Sequence, residues 1–297
     1  MKKIFYIIAL GVGLAGCSNN EDELLSTGSF PEDHVIRIIT EVNEPLSRAG
    51  YDVTNLERFG LMIRNSENAA YNYHKQMVSS GNAWSTSDGQ QMLWDAERTP
   101  VTMIAYAPYM SEAAPDASLA VNALTNQTTE ENVKSSDFLL MKATVDPEQD
   151  LTADGKLKIS LSHAMSKLLI KITVNGTTDA AMNKLGDMSI NGAVVNGICD
   201  LSATVPIVVP APDAVVATVA PYKGTESCEC ILPPQKIAEG FSVNFSYDGK
   251  LYIWTAKEAI ELEKGEEHTL TLNVNTTVRL AAKMARNWAT GQLIDRN

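Results

Sequence analysis

Cysteine is scarce in this chain. Four occur in 297 residues, Cys17, Cys199, Cys228 and Cys230, too few for the disulfide framework of small secreted domains. Basic residues are also in deficit: 24 Lys and Arg face 36 Asp and Glu, a formal net charge of -12. An acidic surface repels phosphate backbones, which excludes a nucleic-acid partner. Histidine is limited to His34, His74, His163 and His268, and none falls in the H-E-x-x-H or H-x-x-x-H spacing of a helix-borne zinc site. The G-x-S-x-G elbow, the Walker loop and the G-x-G-x-x-G turn are missing as well. Carboxylates are plentiful, but no spacing singles out an acid/base pair, although a glycosidase pair is set by distance in space. The chain therefore reads as non-enzymatic, with no catalytic residue, no cofactor and no metal. No repeat of fixed period is visible. What remains is ordinary globular material, 44% hydrophobic and 20% charged. At about 100–200 residues per domain, that length suits two domains.

The N-terminus carries the most specific signal. Lys2 and Lys3 precede an apolar run of 11 residues, Ile4 to Leu14, too short to cross a bilayer core of about 30 Å as a helix. Leu14-Ala15-Gly16-Cys17 follows. This matches the lipobox of bacterial lipoproteins, which implies cleavage after Gly16 and a diacylglycerol on the Cys17 thiol. Residues 1–16 are then a signal peptide, and the membrane is a partner through the lipid. Losing Lys2 and Lys3 leaves 22 of the 24 basic residues against 36 acidic ones, a net charge of -14. Glu21-Asp22-Glu23 lies close behind the cysteine, and no Asp adjoins it to suggest inner-membrane retention. The cluster resembles the tag that sends Bacteroidetes lipoproteins to the outer face of the outer membrane. As bare sequence it reads equally as a solvated linker. Residues 17–33 are polar and are expected to form a flexible tether.

Beyond the tether the hydrophobic pattern is mostly of period two. Strands are expected over Val35–Val42, Leu61–Arg64, Val101–Tyr106, Lys156–Leu161, Lys167–Val174, Met188–Ile190, Cys228–Leu232, Phe241–Tyr247, Leu251–Ala256 and His268–Val274. Turn residues separate them. Asp248-Gly249 stands between two good strands and predicts a type I′ hairpin. Many short strands with few helical stretches predict an all-β fold, and the length suggests two β-sandwiches. A boundary in Ser162–Ser166 divides the body into 34–164 and 165–297. Val205–Ala220, rich in Pro and Val, reads as an extended loop or edge strand. Leu280, Met284 and Trp288 recur at helical spacing in a C-terminal appendage.

Cys228 and Cys230 would face the same side of a strand. They read as buried small hydrophobes, although export permits one disulfide from Cys199 to either. His163 reads as structural.

Six segments occur in order along the chain. The first three are Ser47-Arg48-Ala49, then Trp84 with Met92-Leu93-Trp94 and Val101–Tyr109, then Ser136–Met141. Leu161–Leu168 (LSHAMSKL), Leu232-Pro233-Pro234-Gln235, and Lys264-Gly265 with His268–Val274 complete the series. Taken together they resemble the fimbrillin family of Bacteroidales, the Mfa-like subunits of type V pili. The resemblance implies two tandem transthyretin-like, Greek-key sandwiches. It implies protease processing at Arg48 and Ala49, which would free a strand carrying Val35, Ile36, Ile38, Ile39 and Val42. A strand from another copy or a paralogous subunit would take its place. The chain departs from the family at His268, where many members carry an aromatic. The expected function is thus a structural pilus subunit on the outer membrane, as stalk, tip or anchor, with a host or bacterial surface ligand. The other reading is a surface glycan-binding lipoprotein beside a polysaccharide importer, using Trp84, Trp94, Trp254 or Trp288. Aromatic residues are 6% of the chain, which is thin for that task.

Overall fold

The structure, a computed structural model, describes residues 29–43, 50–52, 54–80, 83–175, 182–274 and 280–286. The signal peptide, Gly16, Cys17, Arg48, Ala49 and Trp288 lie outside these residues.

The first half builds a seven-stranded sheet. Its strands are β1 (Ile38–Asn43), β2 (Arg58–Asn65), β3 (Tyr73–Ser80), β4 (Ala83–Thr86), β5 (Val101–Ala107), β7 (Leu139–Val145) and β8 (Leu157–His163). Their order across the sheet is β1-β8-β7-β5-β2-β3-β4. The centre, β2 and β5, is buried on both faces, which explains why VTMIAYA, apolar apart from Thr102, does not alternate strictly. Phe59, Leu61, Ile63, Met103 and Ala105 pack into one core. Met62, Ile104 and Tyr106, one residue out of phase, pack into another that runs on into the second half. Gly60 lets the Tyr106 ring lie against the backbone, since a Cβ there would overlap Cζ.

Between these strands, β6 (Ser118–Asn122) leaves the sheet and α1 (Glu130–Ser135) forms one short helix, capped by the Thr129 side chain on the Asn132 N–H. β6 pairs instead with β11 (Asn196–Asp200), which also pairs β12 (Val208–Pro210). A chain segment of the first half is thereby knitted into the second.

In the second half a five-stranded sheet contains β9 (Ser166–Val174), β14 (Tyr222–Lys223), β15 (Cys228–Leu232), β20 (Glu267–Val274) and β21 (Leu280–Arg286). It runs in the order β14-β15-β9-β20-β21. A four-stranded sheet contains β10 (Leu185–Val194), β13 (Val216–Val219), β17 (Ser242–Tyr247) and β18 (Lys250–Thr255), in the order β13-β10-β17-β18. β16 (Gln235–Ile237) and β19 (Ile260–Leu262) form a small pair. Leu168, Ile170 and Ile172 of β9 and Val243 and Phe245 of β17 share one core. The all-β sandwich expectation holds. So does the hairpin at Asp248-Gly249, whose φ values of 49° and 76° are those a type I′ turn needs. The Pro- and Val-rich segment supplies β12 and β13, both at sheet edges.

Two expectations change. The C-terminal appendage is a strand over Leu280–Arg286, antiparallel to β20, where helical spacing was expected. A spacing of four residues satisfies a strand's period of two as well as a helix's 3.6, so the spacing of Leu280 and Met284 does not separate the two. The expected tether is already packed at its end. Phe30 joins the first core, and the Arg98 guanidinium lies 4.7 Å from its ring centroid.

The sheet changes between His163 and Ser166, and this crossing is buried. Ala164 and Met165 are fully enclosed. Met165 O accepts from Gly265 N–H at 2.8 Å, and Phe138 O accepts from Ala164 N–H at 2.8 Å. Lys167, inaccessible on the outer face of β9, pairs with Glu229 of β15 at 2.5 Å. A buried ion pair of this kind contributes little net stability but is costly to break on one side.

His268 lies on the core face of β20, and its Nε2 accepts the Glu263 N–H at 3.0 Å. Burial pushes its pKa down to about 4. In the unfolded chain the ring takes a proton below about 6.5. The unfolded state therefore binds more protons between those values, and stability falls with falling pH across that window. The expected contribution is about 3 kcal/mol between pH 6.5 and 4. Urea unfolding of the protein and of His268→Phe should differ by a slope of this sign. Parallel profiles would refute the assignment.

Candidate strand-exchange groove

The segment HVIRIITEVN, residues 34–43, enters as extended chain and ends in β1, an edge strand. Its alternation divides the side chains cleanly. Ile36 and Ile38 are buried, and Thr40 and Val42 are half-buried on the same side. Arg37 is exposed, and Ile39 and Glu41 lie half-buried on the other side. The strand runs parallel to β8, in a register that sets Ile38, Thr40 and Val42 beside Leu157, Ile159 and Leu161. All three β8 partners are essentially inaccessible. Burying an isoleucine side chain is worth about 2 kcal/mol, so Ile36 and Ile38 hold the strand down as firmly as its ladder does.

The expected strand over Val35–Val42 is thus made in two pieces. Val35 forms a bridge with Leu93. Ile36 N–H donates to Met92 O at 2.9 Å, and Trp94 N–H donates to His34 O at 2.8 Å. Regular pairing with β8 begins only at Ile38, after Leu157 N–H donates to Arg37 O at 2.8 Å. Of the five candidate residues, Ile36, Ile38 and Val42 face the core, Ile39 faces outward, and Val35 belongs to the entry bridge.

β1 and β4 are the two ends of the seven-strand order, and they meet. Trp84 Nε1 on β4 donates to Thr40 Oγ1 at 3.0 Å. Its indole stands edge-on to Phe59 at 4.8 Å. No ladder joins β1 to β4 among the described residues, so β1 has strand hydrogen bonds on one side only. On the outward face Glu41 reaches back to β8. Its carboxylate accepts from Ser160 Oγ and lies 2.9 Å from Lys158 Nζ. The Ser160 hydroxyl first, then the Lys158 ammonium, holds the Glu41 carboxyl below its usual range.

The chain is pinned again just beyond Arg48. Gly50, buried at φ 114°, gives its carbonyl to Asn55 Nδ2 at 2.8 Å. Tyr51 N–H donates to Asp137 Oδ2 at 3.1 Å, and the same oxygen lies 2.9 Å from His163 Nδ1. Lys134 Nζ sits 5.2 Å from the Tyr51 ring centroid. Residues 44–49 therefore connect two separately anchored points. The sequence flagged β1 and Arg48 but missed Thr40, Glu41, Trp84, Lys158, Asp137 and Tyr51 as parts of one assembly. Their partners lie up to 119 residues away, and only the family-like order of segments hinted at Trp84 and Asp137.

The three thiols within the described residues are free and buried. Burial pushes Cys199 up to about 11 and Cys228 up to about 12, and raises Cys230 further. They pack as small hydrophobes in the core. Trp94 is buried, Trp84 packs on Phe59, and Trp254 packs edge-on to Phe241 at 6.1 Å.

The fold and this seam define an all-β protein of packed sheets whose N-terminal edge strand closes the first core. Comparison places it further. The fimbrillin-like family model matches residues 47–287, and the chain belongs to that family. Family membership makes it a pilus subunit of the cell surface that assembles with other subunits. A proposed cell adhesion protein from Bacteroides uniformis shares the fold at 15% identity, with a TM-score of 0.65, covering 88% of this chain and all 100% of that one. Another from Bacteroides ovatus gives 17% identity and a TM-score of 0.66, over 88% of this chain and 97% of that one. A fimbrial protein from Bacteroides ovatus gives 16% identity and a TM-score of 0.52, over 82% of this chain and 50% of that one. No curated protein matches the sequence.

Proposed function

We propose that this subunit is exported as a lipoprotein, anchored to the outer membrane through Cys17, cut at Arg48, and assembled by exchange of β1 for a strand of a neighbouring subunit. The single observation that carries the reading is the one-sided seating of β1. It covers an apolar sheet, its backbone ladder runs to β8 alone, and the next anchor among the described residues, Gly50–Tyr51, lies beyond Arg48. A cut between them separates the strand from the body and leaves the new end held by Asn55 and Asp137. The vacated edge of β8 would present unpaired backbone groups above Leu157, Ile159 and Leu161, a costly exposure that an incoming strand relieves. β21, the chain's last described strand, is also paired on one side only. It is the segment we assign as lent to a neighbour.

The glycan-binding alternative loses support from the placement of Trp84, Trp94 and Trp254 against the cores. Exposed aromatic platforms are what it would need.

Two substitutions test the scheme. Cys17→Ala should abolish labelling by a radioactive fatty acid and detach the protein from membranes; retained label would refute the anchor. Arg48→Ala should leave a folded, lipid-bound, full-length monomer that gives no SDS-resistant ladder. Polymer formed by that variant, with mature protein still beginning at Cys17, would overturn the gating role of the cut.

A further inference from the structure

The groove that β1 fills is selective, and its chemistry can be read from what β1 offers. Two adjacent residues satisfy two different walls. Thr40, inward, gives its hydroxyl oxygen to Trp84 Nε1 at 3.0 Å. Glu41, outward, meets Lys158 at 2.9 Å and Ser160. An occupant lacking the hydroxyl leaves a half-buried indole N–H without its acceptor. An occupant with a cation in place of the acid sets like charges side by side across the ladder.

The chain's own C-terminal strand supplies neither group. In sequence, Leu280, Ala282 and Met284 alternate, with Arg286 in their phase and Lys283 in the other. A strand of period two seated on the apolar phase therefore carries a lysine in the phase that Glu41 occupies in β1. Residues 275–294 contain no Asp or Glu, but they do contain Arg279, Lys283 and Arg286. This is the one strongly basic stretch at the end of a chain whose net charge is -12. The strand lent and the strand received are therefore of opposite character.

We infer that the β1 groove accepts an extended segment of a different subunit, one bearing alternate apolar residues and a Ser/Thr-Asp/Glu step that meets Trp84 and Lys158, and that it discriminates against this chain's own C-terminal strand. The inference rests on the strand-exchange reading above. The same logic sends β21 to a groove rimmed with carboxylates. Assembly is then heterotypic at this subunit, and a run of identical copies is disfavoured.

The test uses the full chain cut after Arg48, with labelled peptides exchanged into it at low salt and followed by fluorescence anisotropy. The probes are residues 34–43, the same peptide with Glu41→Lys, the same with Thr40→Val, and residues 278–290. The native peptide should bind tightest. Glu41→Lys should weaken it about fivefold, an effect that fades with salt. Thr40→Val should weaken it about tenfold, and the C-terminal peptide by more than tenfold. Lys158→Glu in the cut chain should invert the order of the native and Glu41→Lys peptides. The selectivity is overturned if the C-terminal peptide binds as well as the native one, or if charge reversal on either partner changes nothing. If no peptide exchanges in, the native one included, strand exchange itself fails and the selectivity falls with it.

Discussion

The structure turns on one seal. A seven-stranded sheet curls until its two ends meet, and β1 with the residues leading into it fills the seam, Ile36 and Ile38 pressed into the core. Its ladder runs to β8 alone, and the Trp84 indole holds it to β4 through one side-chain hydrogen bond, the seating that the proposed separation of the strand relies on. A strand bonded on both sides would be part of the sheet's interior and could not leave without dismantling it. A strand without the apolar face would leave nothing worth refilling. The combination of deep side chains and a half-made backbone ladder is what the proposed replacement of one strand by another would require.

The rest of the molecule keeps that seam independent of everything else. The crossing between the two halves is locked by buried contacts that do not involve β1. Asp137 links Tyr51 to His163, Lys167 pairs with Glu229, and Gly265 caps Met165. Lys142 of β7 donates to the carbonyls of Leu201 at 2.7 Å and Ala203 at 2.9 Å, tying the first sheet to the turn after β11. β6 crosses over to pair with β11. Loss of β1 would thus expose one edge while the body stays assembled.

Much of this was legible in the sequence because period-two patterning survives wherever one face of a strand is buried. Lys167–Val174 and His268–Val274 alternate plainly, and both are strands. Asp248-Gly249 announced its turn, since few residues accept positive φ. Legibility failed where that physics is ambiguous. Leu280 and Met284 fit a helix and a strand equally, and the ladder with β20 decided for the strand. Tyr73–Ser80, half-buried along most of its length, carries no clean alternation and was not anticipated. β6 is short and pairs with a strand far along the chain, which no local pattern encodes. The groove was half legible. The apolar face of β1 and the nearby arginine stood out, but Thr40, Trp84, Glu41 and Lys158 became one site only through long-range folding.

The central claim, that β1 is a separable seal, is tested most directly by amide hydrogen exchange on the intact protein and on the chain cut after Arg48. The account predicts that cutting strips protection from the Leu157 amide and the alternate β8 amides that follow it, while Met103 and its neighbours in β5 keep theirs. Equal loss across β5 and β8 would contradict it, by showing that β1 is integral to the folded core, and so would β8 protection untouched by the cut.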